Sequence, residues 1–508
     1  MIGPVTTRRM LAVVALCAVS GLAATPPDAA TRRWWSHIRV LAADGMEGRD
    51  AGSAGHRRAA EYVAARFAAA GLTPAGEGGF FQPVPLHAVR LVPEQSSVEL
   101  VRPSGQAVAW RWLRNIVLLP RTGDPETFDQ PLGFSGWETP PDMVPDRILA
   151  ALAPPRFVPG PRGYATPPPR GYYGTVTTDS PAGPEPMRWP SFLSAIVRFA
   201  DAPLPSRAPG ITSNFLLNSA DAEALFEGSG HSYAELRSMA DAGQRLPSFP
   251  MPTRLRGRLV TDTREFTSDN VIAVLRGSDP ALRDEYVAVS AHLDGYGIGE
   301  PVNGDRIYNG AFDDAAYVAT LIDLAETLKA SGRRFKRSIL FCVFTAEEKG
   351  LLGSQYFVAH PTVPKSQIVA DINLDTLRPI FPLRSLTTLG LDRSSLGAAA
   401  RQAGAALGIE IRADAEPERQ LVQRSDQWNF LQAGIPAIAF VFGYDAGSRE
   451  EAVYRQWYAQ RYHSPSDDLD QPWDPMAAAR FNAFFARLLE TVAEAPTRPV
   501  LAPEPRQL

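Results

Sequence analysis

The chain has 508 residues, of which 45% are hydrophobic and 21% charged, the balance of a soluble globular protein. That length is too great for one ordinary core, so two domains are expected. The formal net charge of −4 and the lack of an arginine-rich tract remove the electrostatic case for nucleic acid or an anionic membrane as partner.

Residues 1–30 read as a signal peptide. Arg8-Arg9 precede an apolar run at 10–19, followed by small residues at 20–24 and the pair Pro26-Pro27. The run is shorter than the roughly 20 apolar residues that a membrane span needs. The expectation is therefore cleavage and a periplasmic or secreted protein with no stable membrane insertion. Of the two cysteines, Cys17 would leave with the signal, and Cys342 lies in an apolar strand pattern as a buried thiol. Metal chemistry must then come from His, Asp and Glu.

Residues 31–120 are expected to start the catalytic domain. Helical spacing covers 34–42 and 56–70, joined by a glycine-punctuated loop at 47–55. His37 and His56 read as surface or packing histidines. Strand-like alternation follows at 80–118. The composition then shifts: Pro154-Pro155, Pro159, Pro161 and Pro167-Pro168-Pro169 forbid long helices and central strands there. Apolar periodicity resumes at 191–200, 220–227 and 233–240. Residues 121–255 are read as an inserted, smaller β-rich domain with an irregular face.

From Asp269 the pattern is regular. Apolar strands at 271–275, 286–290, 339–344, 368–374 and 437–442 alternate with helices at 315–329, 351–359, 396–407, 426–433 and 477–492. This implies an α/β fold, a mostly parallel mixed sheet with helices on both faces. It occupies 256–495, with a tail at 496–508. Ligands of such sheets sit at the carboxyl ends of strands, and ligand-type side chains gather there: His292 with Asp294, Asp313-Asp314, Glu347-Glu348, Asp375, and His463 in a late loop. Each has an ordinary explanation alone, such as a cap or a solvated helix start. Together, imidazoles and carboxylates at successive strand ends suit a zinc-type cation, which would also relieve the repulsion among the acids.

The stretches SAHLDGYGIG, NGDRIYNGAFDDAAYVA, FTAEEKGLLGSQYF, INLDT, RSDQWNFLQAGIPAIAF and RYHSPSDDLD resemble the di-zinc aminopeptidase family that includes bacterial leucyl aminopeptidase, aminopeptidase Y and glutamate carboxypeptidase II. The resemblance implies a zinc exopeptidase-like fold and a peptide substrate, and by position and size alone a protease-associated insertion. It implies that Asp313 bridges two zinc ions, with His292 and Asp375 completing one site and Glu348 and His463 the other. Glu347 would be the general base, and Asp294 would orient the His292 ring. The chain departs from the family where relatives commonly read Asp-His at Asp294-Gly295 and Ser-Asp-His at Ser425-Asp426-Gln427. It also has Ala316-Tyr317 for a small Ser-Gly pair and no tyrosine shortly before Ser425. Tyr317, Arg424 and Tyr444 are the candidates for oxyanion or substrate contacts. The implied activity is that of an exported aminopeptidase. The alternatives are a carboxypeptidase acting on small or acidic peptides and a non-catalytic, receptor-like binding protein.

Overall fold

The computed structural model describes residues 27–140, 142, 145–153, 172–180, 187–206 and 213–503. The expected signal peptide, as far as residue 26, and the three proline clusters at 154–169 lie outside the described residues.

Continuous apolar strands need cover on both faces, and four of them form the middle of a ten-stranded sheet. Ser338–Phe344 and Ile368–Asn373 flank Tyr286–His292 and run parallel to it, and Ala437–Phe442 runs parallel to Ile368–Asn373. Antiparallel strands widen this centre on both sides. Thr261–Leu275, Phe81–Leu91 and Ala195–Phe199 extend one edge. Ser385–Leu389 extends the other and carries Glu410–Ala413 in parallel. The sheet is mixed α/β as expected, with more antiparallel flank than strand–helix alternation suggests.

Side chains alternate between the two faces, and the two hydrophobic clusters divide accordingly. Ala273, Val287, Val289 and Phe341 pack under helices Ala29–Leu41, Ala54–Ala69, Ala316–Ser331, Leu396–Leu407 and Pro475–Glu494. Ile272, Ala288, Leu340 and Cys342 pack under Leu352–Ala359 and Gln427–Gln432. Cys342 is a buried free thiol, as expected. Helix Arg449–Gln460 was not anticipated, because its charged, weakly amphipathic sequence hides the buried Tyr454 and Trp457. Residues 191–200 supply the edge strand Ala195–Phe199 instead of an independent element of the insertion.

A second, eight-stranded sheet has a separate core containing Leu100, Phe128, Phe134, Val176, Phe215 and Leu255. Its strands include Ser97–Val101 and Ile116–Leu119, as well as Glu126–Phe134, Ile148–Leu152, Gly174–Thr178, Ser213–Leu217 and Phe249–Leu259. The β-rich layer thus draws on residues 97–119 as well as those after 121. The chain leaves the main sheet on Phe81–Leu91 and returns on Thr261–Leu275, and these strands pair continuously from Leu91↔Thr261 to Phe81↔Val271. Exit and re-entry therefore form one rigid antiparallel neck.

His56 and His37 are both buried, consistent with packing roles. His56 Nδ1 lies 3.4 Å from Ser268 Oγ. Burial above all, then the nearby Arg49 and Arg57, lowers its pKa from 6.5 to about 3. The neutral ring is therefore the folded form, whereas the unfolded chain protonates it below about pH 6.5. This contribution to stability is present at neutral pH and is lost as pH falls toward about 3. His56→Gln should lower the slope of unfolding free energy against pH, between about pH 6 and 4, by up to about 1.4 kcal/mol per pH unit. Urea unfolding across that range measures it, and an unchanged slope would refute the assignment.

Candidate metal centre

Parallel strands present their carboxyl ends at one edge of the sheet, and three of the five expected ligands arise there. His292 closes Tyr286–His292, Glu348 follows Ser338–Phe344, and Asp375 follows Ile368–Asn373. Asp313 lies in the turn Ala311–Ala315 that opens helix Ala316–Ser331. His463 comes from beyond Arg449–Gln460. The structure gathers them into two triads sharing one residue: His292, Asp313 and Asp375, and Asp313, Glu348 and His463.

Asp313 turns one oxygen to each triad. Its Oδ1 is 3.2 Å from His292 Nε2, and its Oδ2 is 3.2 Å from His463 Nε2. His292 Nε2 is 3.7 Å from Asp375 Oδ1, and His463 Nε2 is 3.5 Å from Glu348 Oε2. Such separations suit pairs of ligand atoms each about 2.0–2.2 Å from a common zinc ion. The donor set is that of zinc as well, and Asp313 Oδ2 is buried with no hydrogen-bond donor. These residues fit metal ions. Burial, reinforced by Asp375 and Glu348 and opposed by His292, holds the Glu347 carboxyl well above the usual carboxylate range. Burial and Asp313 do the same to Glu348. Burial would raise Asp313 too, but hydrogen bonds and positive charge from His292 and His463 hold it well below.

Asp294 acts differently from expectation. Its carboxylate accepts the N–H groups of Glu347 (3.0 Å) and Glu348 (3.3 Å), fixing the acidic loop. The His292 ring is instead held through Nδ1 by the Asp294 main-chain oxygen at 3.1 Å, with the carboxylate 3.8 Å away. With Nδ1 donating to that carbonyl, a neutral ring would offer its Nε2 lone pair to a metal ion, whereas without one a protonated Nε2 donates to Asp313.

Several supporting residues were assigned no role from the sequence. Arg49, fully buried, donates to the carbonyls of Leu41, Leu293, Asn309 and Gly310. It thereby ties the loop before the second helix to both ligand-bearing turns. Asp467 accepts from the N–H groups of Phe312 and Asp313, and Asp314 accepts from that of His292. The Tyr296 hydroxyl donates to Glu348 Oε2 at 2.5 Å and lies 3.5 Å from His463 Nε2. Asp314 and Asp467 sat inside recognisable motifs, but Arg49 carried no signal beyond a glycine-rich loop. Gly310 has φ +58, and a Cβ there would stand 2.2 Å from the Asp313 carbonyl, so the tight turn demands glycine.

Of the three candidates for substrate contacts, one borders the site. Tyr317 is fully buried in the core against Phe481, 5.2 Å between ring centres. The Tyr444 hydroxyl is engaged by Glu416 at 3.0 Å. Neither lines the cavities bordered by Asp375, Asp313 or His463. Arg424 lines two cavities, one bordered by Asp375 and the other by His463. The second has a volume of about 300 Å³ and is closed on its far side by Arg188, Trp189 and Phe192. Phe192 packs on Tyr296 at 4.2 Å and edge-on to His463 at 5.0 Å. The departure at Gly295 has a steric reason, since a Cβ there would meet the Gly48 carbonyl at 2.8 Å.

A mixed α/β sheet with paired His/Asp/Glu triads at its strand ends defines a zinc-type metallohydrolase. Residues 270–489 match the model of peptidase family M28, so this stretch of the chain is similar to the metallopeptidases of that family. The probable leucine aminopeptidase 2 of Aspergillus oryzae is 28% identical over 221 residues, covering 40% of each chain. Carboxypeptidase Q of Rattus norvegicus is 30% identical over 149 residues, 29% of this chain and 28% of that one. The chain thus spans less than half the length of these curated relatives. The aminopeptidase of Aneurinibacillus sp. strain AM-1 shares the fold, with a TM-score of 0.59 at 17% identity across 93% of this chain and 96% of that one.

Removing the Arg49 cation would leave carbonyls and the carboxylates around it without their buried partner. Arg49→Met should destabilise the fold by about 3–5 kcal/mol, read by chemical denaturation of the metal-free protein. A loss below about 1 kcal/mol would mean that the loop is held by packing alone.

Proposed function

We propose that the chain is an exported aminopeptidase that holds two zinc ions and releases N-terminal residues from peptides. The observation that carries this reading is the posture of Asp313, one oxygen toward each triad, which suits a carboxylate shared by two ions. The relatives named aminopeptidases support the direction of attack, and the basic-then-apolar start at residues 8–19 supports export. The second β-rich layer fits a protease-associated insertion by position and size.

His292 and Asp375 would hold one ion, Glu348 and His463 the other, and Asp313 both. When bound, the ions supply Lewis acidity toward the scissile carbonyl and lower the pKa of the attacking water. Glu347, held by its backbone N–H on Asp294, takes the proton from that water at a carboxylate oxygen. It then delivers the proton to the departing amine nitrogen. Arg424 would contact the substrate, a role supported by its position in the cavity wall beside Asp375.

Hydrolysis of aminoacyl arylamides by the zinc-loaded protein, with no cleavage of the same peptides when N-blocked, is the expected behaviour. The reverse preference would replace this reading with carboxypeptidase action. Glu347→Gln should lower kcat by about 10²–10⁴-fold while elemental analysis still finds the wild-type zinc content. Substantial residual turnover in that variant would remove Glu347 from the reaction. Asp313→Ala should lose zinc from both positions, whereas Asp375→Ala should lose it mainly from one. Retention of two equivalents by Asp313→Ala would end the shared-carboxylate assignment.

A further inference from the structure

The cavity bordered by Asp375 is walled by three guanidinium groups: those of Arg378, Arg419 and Arg424. Arg378 is only 6% exposed. Its Nη1 donates to the Tyr454 hydroxyl at 2.5 Å, and its guanidinium lies 4.9, 5.3 and 5.5 Å from the ring centres of Tyr454, Trp457 and Tyr458. Its Nε has no acceptor, and no carboxylate ion-pairs with Arg378 among the described residues. Arg419, by contrast, is paired with Glu416 at 3.0 Å. Aromatic faces and one hydroxyl only partly replace the water that a buried guanidinium gives up. A buried donor without an acceptor beside the reaction centre therefore points to an acceptor that arrives with the substrate.

The negative groups facing this cavity are few. Among the described residues Asp375 is the only carboxylate in its wall, and it is engaged with His292 and the Thr376 hydroxyl. The hydroxyls of Tyr454, Tyr458 and Tyr462 provide further polar edges. Space is restricted to about 50 Å³, enough for a few water molecules or a carboxylate on a short stem, and too little for an aromatic side chain.

Building on the peptidase reading, we propose that this cavity is a specificity pocket that binds a carboxylate of the peptide substrate through Arg378 and Arg424. Planar guanidinium groups bind carboxylates in a two-pronged, charge-assisted manner, and here the ligand would replace the missing acceptor of Arg378. Two carboxylates could occupy it: the side chain of an N-terminal Asp or Glu, or one belonging to the C-terminal residue.

The test uses the zinc-loaded, full-length protein with Glu-, Asp-, Leu- and Phe-arylamides and N-acetylated dipeptides ending in Glu or Leu. The expected result is a kcat/KM about 10- to 100-fold higher for the acidic member of whichever series is cleaved. Arg378→Met and the half-buried Arg424→Met should each bring that ratio close to one, mainly through KM, with zinc content unchanged. Preference for Glu-arylamide assigns the N-terminal side chain, and preference for the acetylated Glu peptide assigns the C-terminal residue. Faster cleavage of Leu- or Phe-arylamide than of Glu-arylamide, with normal zinc dependence, would overturn the pocket and leave the peptidase reading standing. If neither series is cleaved, the peptidase reading fails, and the pocket is then judged by calorimetric binding of glutarate to Glu347→Gln. Binding abolished by Arg378→Met upholds the pocket; no binding to Glu347→Gln itself overturns it.

Discussion

The rest of the structure depends on bringing buried carboxylates together around Asp313. Asp313, Glu347, Glu348, Asp375, Asp294 and Asp314 lie close to one another with two imidazoles among them, nearly all removed from water. Such a cluster is unstable unless charge is returned to it, because burial and mutual repulsion act in the same direction. Every feature around the cluster either returns charge or fixes orientation. Bound cations would do the first, and the protein does the second by spending main-chain donors on the carboxylates Asp294, Asp314 and Asp467.

That division is visible residue by residue. Asp294 and Asp467 take backbone N–H groups from the ligand-bearing turns, and Asp314 takes that of His292. Arg49 supplies the one buried guanidinium that reaches across the turns, satisfying carbonyls on three separate segments. The ligand geometry is therefore held largely from behind by main-chain hydrogen bonds. Side chains facing the cavities are then available for substrate, which is the arrangement preorganised catalysis needs.

The second β-rich layer takes part in this site in spite of its separate core. Its neck is a long antiparallel pair that continues the main sheet, and Ala195–Phe199 adds a strand to the same edge. The segment just before that strand sets Phe192 on Tyr296 and His463, and Arg188 against the Tyr458 carbonyl. Access to the metal ligands is thus bounded by a segment contributed between two strands of the second sheet and the edge of the first.

The strand–helix alternation after Asp269 and the clustering of His, Asp and Glu at its strand ends were legible in the sequence, because buried parallel strands are continuous apolar runs and their polar side chains follow within one or two residues. Recognisable motifs extended that reading to Asp313 and His463, which no periodicity locates. The Ser385–Leu389 and Glu410–Ala413 strands and helix Arg449–Gln460 were not legible, since their short or charged sequences owe their structure to what they pack against. The roles around the site were even less so. That Asp294 holds a loop with its carboxylate and a histidine with its carbonyl, that Tyr317 is core and Arg424 is wall, and that Arg49 spans the turns all depend on distances between segments far apart in the chain. Local sequence determined which chemistry the strand ends could offer; only tertiary packing decided which groups would be desolvated together, and desolvation is what turns a set of polar side chains into a site.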